Sequence, residues 1–246
     1  MYGNFAYIYD KLMKDFDYEK IVTYVERIFE HNNIKPRTVL ELGCGTGNAS
    51  LELVKRGYNV IALDSSIDML TVFDAKCTEG SERPVILNMD VRDFSLHDGV
   101  DAVISLTDTL NYVTNAKDLA KVFSLVYEYL NPGGIFIFDL NTDYKFENVF
   151  GNNMFYMVDD EISYIWECKF NRISKVCKFD ITFFVRQGEL YKRFDEVQYE
   201  RAYKKGQIEK LLKENSFLQI DMYGGMTFEK PDFDTERIFV VCRKAY

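Results

Sequence analysis

Apolar positions along the chain change period twice, and each change marks a different kind of element. Residues 17 to 32 place Ile21, Val25, Ile28 and Phe29 on one helical stripe that Pro36 stops. A short apolar run at 38 to 43 reads as a strand. A helix is expected from about Asn48 to Arg56, closed by Gly57, and a second strand at 58 to 64 follows. Ser65 or Ser66 stands where the next helix needs a cap. PVILNM (84 to 89) and VDAVISL (100 to 106) predict the third and fourth strands. A helix over 115 to 130 turns Leu119, Val122, Phe123 and Val126 inward before Asn-Pro-Gly-Gly, and IFIFDL (135 to 140) is the fifth strand. Five strands alternating with helices imply a parallel, doubly wound sheet.

From Glu161 the period becomes two. Ile162, Tyr164, Trp166, Cys168 and Phe170 fall on one face and Glu161, Glu167 and Lys169 on the other; Cys177, Phe179, Ile181, Phe183 and Val185 repeat the pattern. A hairpin around Asn171 to Ser174 is expected to set Trp166 opposite Phe179 and Cys168 opposite Cys177. Gln187-Gly188 then returns a third strand that brings Leu190 and Phe194 to the same face. The helical period resumes over 205 to 215, and 217 to 223 and 237 to 243 supply two last strands. The prediction is one α/β domain, residues 1–149 and 202–246, with a mostly parallel seven-stranded sheet. An antiparallel β-meander subdomain at 150–201 is inserted into it. Its broad apolar face must be covered by the main domain, by an acceptor pocket or by a second copy.

Composition narrows the function classes. The 246 residues are 47% apolar and carry a net charge of -9, against the basic surplus of domains that grip nucleic-acid backbone. Cysteines 44, 77, 168, 177 and 242 form no CxxC pair and the two histidines lie far apart, so no metal site is expected. No charged-then-apolar leader opens the chain and no apolar run approaches the ~18 residues of a membrane span. These features predict a soluble, reduced, cytoplasmic protein with no membrane partner, as a monomer or homodimer.

The chemistry concentrates at the first strand. Val39 to Gly47 reads VLELGCGTG, and Asp64 closes the second strand at the tip of a strand–glycine turn–helix–strand unit that suits a nucleoside. Dinucleotide folds space their glycines G-x-G-x-x-G to cradle a pyrophosphate on a helix N-terminus. Gly43, Gly45 and Gly47 are instead spaced G-x-G-x-G, with Glu41 two residues upstream. A carboxylate there repels a diphosphate and attracts a cation. S-adenosylmethionine, with an ammonium, a sulfonium and no phosphate, fits that demand.

E-L-G-C-G-T-G followed by A-L-D resembles the first two motifs of class I S-adenosylmethionine-dependent methyltransferases, a Rossmann-like family. The resemblance covers nearly the whole chain. It implies that Gly43, Cys44 and Gly45 approach the cofactor, Glu41 lies near the methionine amine, and Asp64, beside Ser65, accepts from the ribose hydroxyls. Asp90 and the Val91 NH would meet adenine, Met69 would pack on its face, and Leu106 would lie beneath the methionine portion. Tyr7 to Met13 resembles an N-terminal helix that closes over the cofactor, which makes Tyr9 and Tyr18 contacts.

Methyl transfer from a sulfonium is an in-line displacement, so alignment and exclusion of water supply much of the rate. A base is needed only where the acceptor arrives protonated. His31 and His97 are predicted at the amino edge of the sheet, away from the chemistry. The loop after the fourth strand, Thr107 to Tyr112, resembles the segment facing the transferred methyl; Asp108 and Asn111 are candidate catalytic residues there, or caps for the next helix, and Tyr112 a substrate contact. Asp139 and Asn141 are further candidates. Phe194 to Tyr203 resembles the strand entering the sixth helix of small-molecule methyltransferases, with Gln198 near a position where relatives often carry histidine. In relatives an insert after the fifth strand covers the acceptor site, which makes Tyr164 and Trp166 candidate substrate contacts. The expected partner is a small-molecule methyl acceptor, taking the methyl on N or O, with nucleic acid disfavoured; the alternatives are transfer to RNA or protein, or a module that binds S-adenosylmethionine without turnover.

Overall fold

The computed structural model describes residues 3–77 and 82–246. Helix α1 (Gly3–Leu12) and helix α2 (Tyr18–His31) precede strand β1 (Thr38–Leu42). Next come α3 (Asn48–Lys55), β2 (Asn59–Asp64), α4 (Ile67–Lys76), β3 (Val85–Asn88), β4 (Val100–Ser105), α5 (Ala116–Tyr129) and β5 (Leu130–Asn141). After a π-helical turn at Lys145–Phe150 the chain forms β6 (Met154–Met157), β7 (Ile162–Asn171), β8 (Val176–Gln187) and β9 (Leu190–Arg201). It closes with α6 (Lys205–Glu214), β10 (Leu218–Gly224) and β11 (Arg237–Arg243).

Seven strands form one sheet in the order β10-β11-β5-β4-β1-β2-β3. β1 to β5 are parallel, β11 runs antiparallel beside β5, and β10 pairs antiparallel with β11 at the edge. This is the Rossmann-like, mostly parallel α/β fold that the alternating elements predict. The period of two in each strand sorts side chains between two cores. Leu40, Leu42, Phe136, Phe138, Ile238 and Val240 pack with Leu119 and Phe123 of α5 and Ile208 of α6. Val39, Ile104, Ile137 and Phe239 face Val25 of α2, Leu53 of α3 and Phe73 of α4. Central strands are therefore apolar on both faces, and Glu41, in step with Val39, points toward α2 and α3. Strand order reverses between β1 and β4, where a parallel sheet opens its ligand crevice.

β6 to β9 form a separate four-stranded antiparallel sheet. Its apolar face, with Ile162, Cys168, Phe179 and Phe183, packs on Ile8 of α1 and on Phe146 and Phe150 of the π turn. The hairpin register differs from the expected one. Asn171 pairs with Val176, Trp166 with Ile181 and Cys168 with Phe179. A four-residue turn in which Lys175 adopts φ 58° adds two positions to the tight turn assumed from sequence. A shift of two preserves the buried face, because the side-chain period is two. On β9 that face becomes polar: Phe194 faces Phe183, but Glu196, Gln198 and Glu200 follow at alternate positions, and Leu190 is exposed. Among the described residues no helix is long and apolar enough to cross a membrane.

Candidate functional site

The glycine loop leaves β1 at Gly43, whose φ is 68°. A Cβ there would lie 2.2 Å from the Thr109 side chain, so only glycine lets the loop after β4 pack this closely. Gly45 donates its NH to Asp64 Oδ2 at 2.9 Å and Ser66 donates to Asp64 Oδ1 at 2.8 Å. Asp64 thus joins the loop to α4, and Ser66, rather than Ser65, caps α4 through Met69 N. Gly47 is the N-cap of α3 and offers no side chain to its first NH groups. Those donors and the helix dipole suit a carboxylate.

Glu41 is 4% exposed and accepts from the Ser50 hydroxyl, a neutral partner. Burial pushes its carboxyl up to about 7, against the hydrogen bond from Ser50, and the charge of Asp64 adds to the rise. Burial also raises Asp64, opposed by the NH groups of Ser66, Gly45 and Ser65. Two carboxylates that are costly to ionise beside a glycine loop fit a cation and vicinal hydroxyls, not a diphosphate.

Glu41, Gly43, Cys44, Gly45, Tyr9, Tyr18 and Leu106 line a small cavity at the carboxyl end of β1. A wider cleft continues from it past Asp64, Ser65, Met69, Asp90 and Val91 on one side and Tyr112, Gln198 and Tyr199 on the other. All twelve sequence-predicted cofactor residues therefore lie on one continuous surface. Tyr9, Gly43, Gly45 and Thr107 border both spaces. Asp90 accepts from the Arg92 backbone NH and guanidinium, and that hydrogen-bonded cation holds its carboxyl below the usual range.

Asp10 fastens the N-terminal helix over the loop. Its carboxylate accepts from Thr46 Oγ1 at 2.6 Å, Asn48 Nδ2 at 2.9 Å and Lys76 Nζ at 2.8 Å. Sequence reasoning gave no individual role to Asp10, Thr107, Thr109 or Arg237. Asp10 had a signal as the charged residue inside the aromatic Tyr7-Ile-Tyr-Asp segment, and the two threonines as members of the Thr107 to Tyr112 loop.

Other candidates are placed elsewhere. Asn111 is fully buried; its amide donates to the carbonyls of Asn141 and Arg201 and accepts from Asn141 NH, so it ties β5 to β9 instead of facing the cleft. The Asp108 carboxylate is held by Arg237 at 2.6 Å. Asp139 and Asn141 are buried, the first against Arg237. Trp166 packs among Phe150, Phe155 and Phe179, and Tyr164 against Phe183, in the core of the small sheet. Tyr112 borders the cleft and donates to Gln198 Oε1 at 3.1 Å. His31 and His97 are exposed and lie outside the cleft lining. Among the described residues no group of three or more His, Cys, Asp or Glu side chains is arranged to hold a metal ion.

A switch-point crevice with a glycine loop, two acid-tipped strands and no pyrophosphate cradle defines a nucleoside-cofactor protein built for a cationic donor. Residues 39–134 match the family model described as a methyltransferase domain. The chain is 32% identical to a putative methyltransferase, YqeM, of Bacillus subtilis, covering 100% of this chain and 98% of that one. A crystal structure of an S-adenosylmethionine-dependent methyltransferase from Clostridium acetobutylicum superimposes with a TM-score of 0.90 and 37% identity, covering 99% of this chain and 98% of that one. A glycine/sarcosine N-methyltransferase of Halorhodospira halochloris is 26% identical, covering 85% and 75%. The chain belongs to the class I S-adenosylmethionine-dependent methyltransferases. It is an enzyme, and S-adenosylmethionine is its methyl donor.

Proposed function

We propose that the enzyme methylates nitrogen or oxygen of a small molecule held between the glycine loop and β9. The observation that carries this reading is the shape of the cleft. Gln198 and Tyr199 of β9 border it together with Gly43 and Gly45 of the glycine loop, so the small sheet supplies one wall of the crevice beside the cofactor cavity. The bound cofactor supplies a methyl already activated on a sulfonium. Glu41 receives the methionine ammonium, the α3 N-terminus its carboxylate, and Asp64 the ribose hydroxyls. Asp90 and the Val91 NH meet adenine, with Met69 against the ring face. Leu106, Tyr9 and Tyr18 close around the methionine chain, and Cys44, whose thiol burial pushes well up, remains neutral. Transfer takes place where the two spaces meet, at Thr107.

Residues 150–201 act as the acceptor lid, with Tyr112 and Gln198 as the polar contacts. Trp166 and Tyr164 stiffen the lid from within. The relative that acts on glycine and sarcosine supports a compact acceptor, and the net charge of -9 disfavours RNA. Incubation with labelled S-adenosylmethionine and either a metabolite extract, RNA or protein tests the reading. Label is expected in a compound of the extract; label confined to macromolecules overturns it.

A further inference from the structure

Two consecutive non-glycine residues, Thr107 (φ 55°) and Asp108 (φ 56°), are left-handed at the point where the cofactor cavity opens into the acceptor cleft. Aspartate tolerates that conformation, but a β-branched threonine does so only when its surroundings enforce it. The enforcement comes from across the sheet. Arg237 opens β11 and faces the same side as Asp139, because Phe239 pairs with Asp139 and Arg237 with Asn141, two positions on. One guanidinium nitrogen donates to Asp139 Oδ2 and the other to Asp108 Oδ1 at 2.6 Å. Asp139 Oδ2 also accepts the backbone NH of Asp108 at 3.1 Å. One planar fork thus holds the carboxylate of Asp108 directly and its backbone through Asp139, a geometry that an ammonium cannot reproduce.

We propose that Arg237 is a positioning residue for methyl transfer, clamping Asp108 and Asp139 so that the left-handed Thr107–Asp108 pair stays fixed at the junction of the two spaces. The proposal rests on the reading that transfer takes place at that junction. Arg237 itself borders neither space, so it acts through Thr107. A small displacement of a junction residue spoils in-line alignment while leaving most cofactor contacts in place.

Arg237→Lys, Arg237→Met and Asp108→Asn, each compared with the wild type by three measurements, test the clamp. In Arg237→Met, backbone amides of residues 107–111 should exchange at least about tenfold faster, with β1 amides unchanged. Label transfer from S-adenosylmethionine into the metabolite extract should fall at least about tenfold, while calorimetric affinity for S-adenosylhomocysteine stays within about threefold. Arg237→Lys and Asp108→Asn should recover part of the rate, since each keeps one polar contact of the clamp; they also decide the matter should Arg237→Met fail to fold. Unchanged exchange in the loop, unchanged transfer, or cofactor affinity falling in step with transfer overturns the proposal, the last because it marks general damage to the fold. A wild type that labels no small molecule removes the functional reading first, and the positioning role with it; failure confined to the variants leaves that reading standing.

Discussion

Glu41 is buried beside Asp64 with a hydroxyl for its partner, and burial lifts its carboxyl to about 7. A cationic ligand lowers it again, so binding is linked to proton release. Affinity for S-adenosylmethionine should rise with pH up to about 7 and then level off. Calorimetry at pH 6 in two buffers of different ionisation enthalpy should register proton release in the wild type and none in Glu41→Gln. The same shift sets stability without ligand. A carboxyl raised in the folded state above its unfolded value of about 4.5 costs stability as pH climbs through that window, by up to about 3 kcal/mol above pH 7. Glu41→Gln should therefore melt higher than wild type at pH 8, with the difference vanishing below about pH 4.5. Asp64 holds the loop and α4 as well as any ribose. Asp64→Ala should cost ~2 to 3 kcal/mol of cofactor binding by calorimetry, since charge-assisted hydrogen bonds are lost. Unchanged affinity would sink the assignment.

Elements bring these residues together through contacts that local pattern does not encode. α1 reaches the site because Asp10 gathers Thr46 of the loop, Asn48 at the start of α3 and Lys76 of α4. Asp10→Ala should speed amide exchange in α1 and weaken cofactor binding about tenfold, or ~1.4 kcal/mol, through lost hydrogen bonds. The small sheet is fastened by aromatic packing: Phe146, fully buried, contacts Phe150 and Phe170. Phe146→Ala should destabilise the fold by about 3 to 4 kcal/mol in denaturant titration, the cost of a large buried cavity. The hairpin in that sheet was legible as a hairpin, with its buried face, because alternation survives any even slip. Its register was not, because the four-residue turn leaves no glycine to mark it.

At the scale of the whole molecule, the main sheet sets the crevice and the inserted sheet borders it through Gln198 and Tyr199. Net charge then acts on what can approach. With -9 overall, RNA retention in a gel shift should stay at background at low salt, where phosphate contacts are strongest. Salt-sensitive retention would reveal a basic face that composition hides.

The succession of strands and helices, the glycine loop and the acids near the carboxyl ends of β1, β2 and β3 were readable from sequence because each is local. Period, glycine spacing and distance to the next strand carry them without knowledge of any distant residue, and so the methyl donor was readable too. What Asp108 and Asn111 do was decided only by tertiary structure. Their partners, Arg237 at one and Asn141 and Arg201 at the other, lie far along the chain. A side chain's free or tethered state depends on what folding places beside it. The chain alone marks Asp108 as an acid at the catalytic edge; only the folded sheet, by setting β11 beside β5, turns it toward an arginine.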